Sequence, residues 1–404
     1  MLDGEPVRRP AGLLPRSHQK SARDTYPVGP STHDGPERDL RLTGPSSRRF
    51  APVTRKRRTN PTTETAVPVM TATCAPLDPA AQYLVRAAVT APSPYNSQPW
   101  RFISRDGELQ LHADPARRLS AADPDGREML IGCGAALFNV RLAMRHLGFV
   151  PRLRIIPDPA LPWLLATVRW GPYAPPTAAE EAMFAALPQR RTHRGPFPPA
   201  PLPLTLIDQL REHARREGAE LSTTLTYPED LRRLAGLIRA AESLRRVHPV
   251  LTTELAKWAP PRGSRRRDGI PAGTYPRSPD TTAFAGRDYA GHARTGFEQE
   301  RAWHTAHPTL GLVVLLTTGH DLREDWLRAG QSLQRVLLHA AAHHVAAAVH
   351  TQPLELPELR ERVRRMVVGG QYPQMILRLG HDNNAHAAHT TPRRPVADVM
   401  GPCE

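Results

Sequence analysis

The stretch from Ala91 to Phe102, APSPYNSQPWRF, limits the fold of this chain more than any other. Prolines at 92, 94 and 99 fix φ at their own positions and push the preceding residues out of the helical region, so Ala91, Ser93 and Gln98 are expected to be extended. A helix must therefore end before this stretch, and the pattern beyond it is that of a strand. Ser93, Asn96, Ser97 and Gln98 supply more amide and hydroxyl than a simple turn consumes. The surplus suits a planar ligand rich in heteroatoms.

On either side, periodicity predicts alternating helices and strands. Apolar residues at helical spacing predict a helix over 79–90, and Trp100, Phe102, Leu109, Leu111 and Ala113 alternate across Asp106-Gly107 as in a hairpin. A long apolar helix is expected over 127–147, ended by Gly148, with strands at 153–156 and 164–169. After a loop rich in alanine and proline, the pattern predicts helices over 206–216 and 228–246 around a strand near 221–225. It then predicts a central strand at 310–318, helices over 326–349 and 357–367, and a last strand at 375–379. Each half thus carries a long apolar helix followed by a strand, which points to an α+β chain in which a mixed sheet flanked by helices occurs in two fused, similar units. Residues 259–307 lose periodicity and read as a mobile lid. The expected division is a Pro/Arg-rich basic disordered tail at 1–69, a first half at 70–188, a second half at 189–395 and a short tail at 396–404. Met70, just ahead of the first ordered-looking segment, is the expected natural start.

Composition excludes several classes. The chain has 404 residues with 54 basic and 39 acidic side chains, a net charge of +15. The basic side is nearly all arginine, whose planar fork bonds oxyanions bidentately; much of the excess charge sits in the N-terminal tail, and no nucleic-acid partner is expected from it. Cys74, Cys133 and Cys403 are far apart and form no CxxC, so the sequence indicates neither a disulfide framework nor a zinc site, and the thiols read as reduced and cytoplasmic. No apolar run reaches membrane-spanning length. His339, His343 and His344 lie one turn apart, but Ala340 stands where a zincin needs its glutamate, so they read as a packed or solvated face. Gly132-Cys133-Gly134 lacks the third glycine of a dinucleotide fingerprint and reads as close helix packing, with Cys133 a small core residue.

The opening stretch resembles the flavin-contacting loop of the nitroreductase superfamily, and Arg190-Arg191-Thr192-His193-Arg194 is similar to that superfamily's Arg-x-Ser-x-Arg phosphate-binding start. Their order, together with Asp125-Gly126-Arg127, Gly132-Cys133-Gly134-Ala135-Ala136-Leu137, Asp268-Gly269-Ile270-Pro271 and Thr391-Pro392-Arg393-Arg394-Pro395, resembles the Acg-type NAD(P)H nitroreductases from about residue 75 to 399. The resemblance implies a nitroreductase-like fold with flavin mononucleotide (FMN) between two halves of one chain, either a monomer with an internal pseudo-dimer or a homodimer. By motif position Ser93, Asn96 and Gln98 would face the flavin ring or ribityl chain, and Trp100 and Arg101 would shape the pocket. Arg190, Thr192 and Arg194 would hold the phosphate, Arg393 or Arg394 would add charge, and Gln331 would sit near the cofactor. Thr192 keeps the hydroxyl of the usual serine, whereas Pro94 replaces a second serine and removes one flavin hydrogen bond. The implied activity passes electrons from NAD(P)H through FMN to a nitroaromatic, a quinone or a similar small acceptor. The alternative is an FMN-sequestering protein of the same fold with little turnover.

Overall fold

The computed structural model describes residues 78–223, 228–274, 283, 284, 286, 287, 289, 310–366, 370–381 and 391–401. The tail expected at 1–69 and much of the lid expected at 259–307 lie outside the described residues.

The first half begins with α1 (Pro79–Ala88), capped by Asp78, whose carboxylate accepts from the Ala80 amide at 2.9 Å. Strands β1 (Trp100–Arg105) and β2 (Glu108–Ala113) form the expected hairpin. Its turn places Asp106 and Gly107 at φ 52° and 71°, the left-handed pair that a tight two-residue hairpin needs. Next come α2 (Arg127–His146), β3 (Phe149–Ile155) and β4 (Leu164–Tyr173). The second half contains α4 (Leu204–Arg215), β5 (Glu220–Ser222), α5 (Pro228–Val247), α6 (Pro249–Lys257) and β6 (Leu312–Thr318). It continues through α7 (Arg323–Ala342), β7 (Val345–Val349), α8 (Pro357–Met366) and β8 (Tyr372–His381).

The sheets run β1-β2-β4-β3 and β5-β6-β8-β7, so counting strands within each half gives one and the same order. In both, the long helix follows the second strand. The ladders are antiparallel, and parallel pairing among the described residues is confined to isolated bridges at the sheet edges, Phe102 to Met400 beside β1 and Thr192 to Ala347 beside β7. This is the α+β architecture of two similar fused halves.

The two long helices hold the halves together. Gly134 and Gly330 are each the eighth residue of a 20-residue helix. A Cβ on Gly134 would lie 2.1 Å from the Leu327 carbonyl oxygen, and one on Gly330 would lie 2.0 Å from that of Ile131. Leu327 and Ile131 are in turn both fifth in their helices. The crossing is thus reciprocal, as an isologous interface requires. Side chains follow the same exchange: Ile131 of α2 packs into the second-half core, and Leu327 and Leu338 of α7 pack into the first.

Two expectations are corrected. The helix expected over 326–349 stops at Ala342; His344 adopts φ 58°, and Val345 to Val349 pair with β8. Alanine's helical preference in Ala346-Ala347-Ala348 yields to ladder pairing in a half-buried strand. The loop expected after β4 contains α3 (Ala178–Ala185), begun by a reciprocal capping box between Thr177 and Glu180. The helix α6, begun by Pro249, was likewise not anticipated. No helix among the described residues is long and apolar enough to cross a membrane.

Gly330→Ala should destabilise the protein by at least about 1–3 kcal/mol, because backbone on the facing helix cannot step aside. Gly319→Ala, with open space around the added methyl, should stay within about 0.5 kcal/mol. Urea unfolding of both variants tests the crossing, and equal stabilities would remove it as a constraint.

Candidate functional site

Beside the helix crossing, a cleft opens between the halves. The first half contributes Pro92 to Tyr95 and the Glu128, Ile131 and Gly132 face of α2. The second contributes Arg190 to Gly195, Leu333 and Leu337 of α7, and the end of β7. Its open space, with the mouth and the adjoining solvent included, is about 1220 Å³. Ile131, Leu333, Leu337, Ala347, Val349 and Met375 make much of the wall apolar.

The arginine run is set in place by packing on its C-terminal side. The His193 amide donates to the Ala347 carbonyl at 2.8 Å, laying the run along β7. Phe197 fills the space over Gly380, where an added Cβ would lie 2.4 Å from the ring. Arg378, fully buried in the middle of β8, donates to the Gly195 carbonyl at 3.1 Å, to the Leu310 carbonyl at 3.1 Å and to His350 at 2.8 Å.

Arg190 ends in an unusual place. Its Nη2 reaches the Thr90 carbonyl at 3.4 Å, and Arg393 from the C-terminal segment reaches the same oxygen at 3.3 Å. Neither guanidinium has a carboxylate partner among the described residues, and the Nε of each is buried without a hydrogen bond. Burial, and then the neighbouring Arg393 charge, pushes Arg190 down to about 9, and burial pushes Arg393 down to about 10. Two cations held this way cost the protein several kcal/mol unless an anion joins them. A phosphomonoester fits that demand: it is doubly charged and accepts from several forked donors.

The SPYNSQ loop is spent differently from expectation. Ser93 is extended, at φ −149°, but Tyr95, Asn96 and Gln98 all take the left-handed region, at φ 50°, 54° and 51°. Gln98 therefore departs from its expected extended form. Its amide N–H donates to Ser93 Oγ at 2.9 Å, its side-chain amide donates to the Arg267 carbonyl at 2.7 Å, and its Oε1 accepts from the Arg394 amide at 2.8 Å. Asn96 donates to the Gly269 and Pro392 carbonyls, both at 3.0 Å. The two amides thus pin two second-half segments, 266–270 and 391–394, onto the loop. Asp268 strengthens the first: burial works against its charge, but bonds from Arg266 and Arg117 hold its carboxyl below the usual range.

Of the residues expected at the site, Ser93, Arg190, Thr192 and Arg194 line the cleft together. Asn96 and Gln98 lie behind its wall. Trp100 is fully buried in the first-half core, and Arg101 is exposed on the other face of β1, opposite His112. Gln331 is buried beside the crossing, accepting from Arg141 at 2.7 Å. Arg394 is tied to Gln98 and to the Asp398 carbonyl. Sequence reasoning missed Tyr95, Glu128, Arg287, Tyr289, His350 and Arg378. Arg378 was discernible as a charge inside an apolar strand, and Glu128 as the acid in the first turn of the core helix. Arg287 and Tyr289 lie where periodicity is lost and gave no signal.

Among the described residues, the histidines other than His193 and His350 do not line the cleft. His213 and His339 rings sit 4.0 Å apart; desolvation first and neighbouring positive groups second push them down to about 3 and about 4. Among the described residues no cluster of histidine, cysteine and carboxylate side chains could hold a metal ion.

Fold and cleft together define an α+β protein of two fused, similar halves that share one cleft. Comparison with curated proteins makes this specific. The chain is 35% identical over 315 residues to "Putative NAD(P)H nitroreductase Rv3131" of Mycobacterium tuberculosis, covering 78% of this chain and 88% of that one. It is 31% identical over 319 residues to the acg-named nitroreductase of the same organism, covering 78% and 93%. The chain therefore belongs to the Acg-type NAD(P)H nitroreductase family. No protein-family model matches it. Among solved structures, the FMN-dependent nitroreductase NfnB of Mycobacterium smegmatis in complex with NADPH aligns at 18% identity and a TM-score of 0.33, over 54% of this chain and 96% of that one, too weak a superposition to carry an argument.

Asn96→Ala removes two buried donors from carbonyls of the pinned segments and should cost about 1–3 kcal/mol. Hydrogen exchange should quicken at 266–270, and unchanged protection there would show that the loop does not hold this segment.

Proposed function

We propose that the protein is an FMN-dependent oxidoreductase that passes electrons from NAD(P)H to a small acceptor such as a quinone or a nitroaromatic. The observation that carries this reading is a pair of half-buried guanidiniums, Arg190 on the wall of an apolar cleft between the halves and Arg393 beside it, whose Nε atoms are buried without a hydrogen bond and which have no carboxylate partner among the described residues. A flavin nucleotide matches both features, since its phosphate needs forked cations and its ring needs apolar contact. Arg190, Thr192, Arg194 and, behind them, Arg393 would hold the phosphate, while Ser93, Pro94, Ile131 and Leu333 would face the ring system. Asn96, Gln98 and Arg394 would act from behind by fixing the loop. When bound, FMN supplies the two-electron chemistry; the chain supplies position, charge and exclusion of water. The two halves divide on this reading near residue 189, with the site shared between them.

A second reading, retention of FMN with little turnover, is favoured by the pinned 266–270 segment and by Ile270, Arg287 and Tyr289 at the cleft wall. If that wall covers the ring face, nicotinamide cannot stack there.

One experiment separates the readings. The purified protein should show flavin absorbance, and anaerobic NADPH should bleach it; a persistent yellow colour would support retention, and colourless protein would refute both. Arg190→Ala with Arg194→Ala should weaken FMN binding by a few kcal/mol, charge-assisted bonds being worth roughly 1.5–3 kcal/mol each. Unchanged occupancy in equilibrium dialysis would remove the phosphate assignment.

A further inference from the structure

One acid stands among the lining residues near the start of α2, whereas Arg190 reaches Thr90, which contacts Asn139 well along the same helix, so the two lie toward opposite ends of the cleft. Glu128 is the single carboxylate on the cleft wall among the described residues. It is the second residue of α2, and its backbone amide is capped by Asp123 at 3.0 Å. One carboxylate oxygen accepts from Arg127 Nη2 at 3.0 Å; the other has no partner among the described residues. The side chain is buried, yet it borders the open space of the cleft. Glu128 is thus a carboxyl fixed by one bond, with one oxygen left for a ligand.

The groups around it settle its protonation. Burial is the largest influence and raises its affinity for a proton, and Glu355 beyond β7 and Asp123 ahead of α2 push the same way. Arg127 on its own helix and Arg287 from the far wall oppose them. Arg287 is committed largely to Glu355, with which it forms a buried ion pair, and to the Tyr95 hydroxyl, which Arg245 also contacts. The balance moves Glu128 up to about 8, where a carboxyl still carries a proton at neutral pH and can give it away.

We propose that Glu128 is the proton donor for the reduction of a quinone held in the cleft. This rests on the oxidoreductase reading above. A quinone that receives a hydride equivalent, drawn from NAD(P)H through the cofactor, gains negative charge on one oxygen. The Glu128 O–H bond breaks as the new O–H bond forms on that oxygen, giving the hydroquinone and the Glu128 carboxylate. The carboxylate then takes a proton from water at the cleft mouth. The nicotinamide is oxidised, the quinone is reduced, and one hydride and one proton are consumed per cycle.

The test compares two acceptors on the FMN-loaded protein: a benzoquinone, which needs a proton, and ferricyanide, which takes electrons without one. Glu128→Gln should slow quinone reduction by about 100-fold and leave ferricyanide reduction and anaerobic bleaching by NADPH within twofold. The wild-type quinone rate should fall above about pH 8, and the variant should lose that limb. Glu128→Asp, which keeps an acid, should retain the limb at a reduced rate. Independently of turnover, the carboxylic C=O stretch in the infrared spectrum of the wild type should titrate near pH 8, and Glu128→Gln should lose this band. Equal slowing with both acceptors would make Glu128 structural and overturn the proposal, as would an unaltered pH profile or the absence of a titrating band. Failure of NADPH to bleach the wild type overturns the oxidoreductase reading itself, and the donor role falls with it.

Discussion

The close approach of α2 and α7 at Gly134 and Gly330 is the contact on which the rest of the molecule depends. With no side chain at either glycine, each helix rests against a carbonyl of the other, and residues on both sides can cross into the opposite core. The cleft borrows its apolar wall from this crossing. Ile131 and Gly132 lie three and two residues before Gly134, and Leu333 lies three after Gly330, so any change in interhelical distance would change the width of the site. The site is as much a property of the interface between halves as of either half.

Against that apolar background the charges are deliberate and unequal. The Arg190 and Arg393 end is strongly cationic, with no carboxylate against either guanidinium among the described residues, whereas the Glu128 end is densely cross-paired through Arg127, Arg287 and Glu355. Burial acts on both ends, but in one it disfavours a cation and in the other an anion. A ligand spanning the cleft would meet an electrostatic gradient along its length, with its anionic terminus drawn to one end and its reactive part near the other.

Much of this was legible in the sequence, for stated reasons. The hairpin at Asp106-Gly107 and the helices α1, α2 and α4 follow from local periodicity and turn chemistry, and the fused halves follow from two long apolar helices. The arginine run and the proline-rich loop were recognisable as motifs. The use of Asn96 and Gln98 was not, because their partners at 267–269 and 392–394 are distant in sequence and are backbone carbonyls and amides, which leave no trace in residue type. The end of α7 was hidden for a related reason: three alanines favour a helix locally, and only the ladder to β8 makes them a strand. Glu128 and Arg378 became conspicuous only once burial was known.

The C-terminal segment also sets an order of assembly. Met400 bridges Phe102 at the margin of β1, and the Pro392 carbonyl, the Arg393 guanidinium and the Arg394 amide complete the environment of Asn96, Thr90 and Gln98, while α9 (Val396–Val399) lies against the first half. A ribosome making this chain emits the loop almost three hundred residues before the residues that close it. Until those residues emerge, β1 has a bare edge, and Gln98 Oε1 and one Asn96 N–H lack their C-terminal partners. The nascent first half can therefore acquire its helices and sheet early, but its side of the cleft is completed only when the last stretch of the described chain has been synthesised.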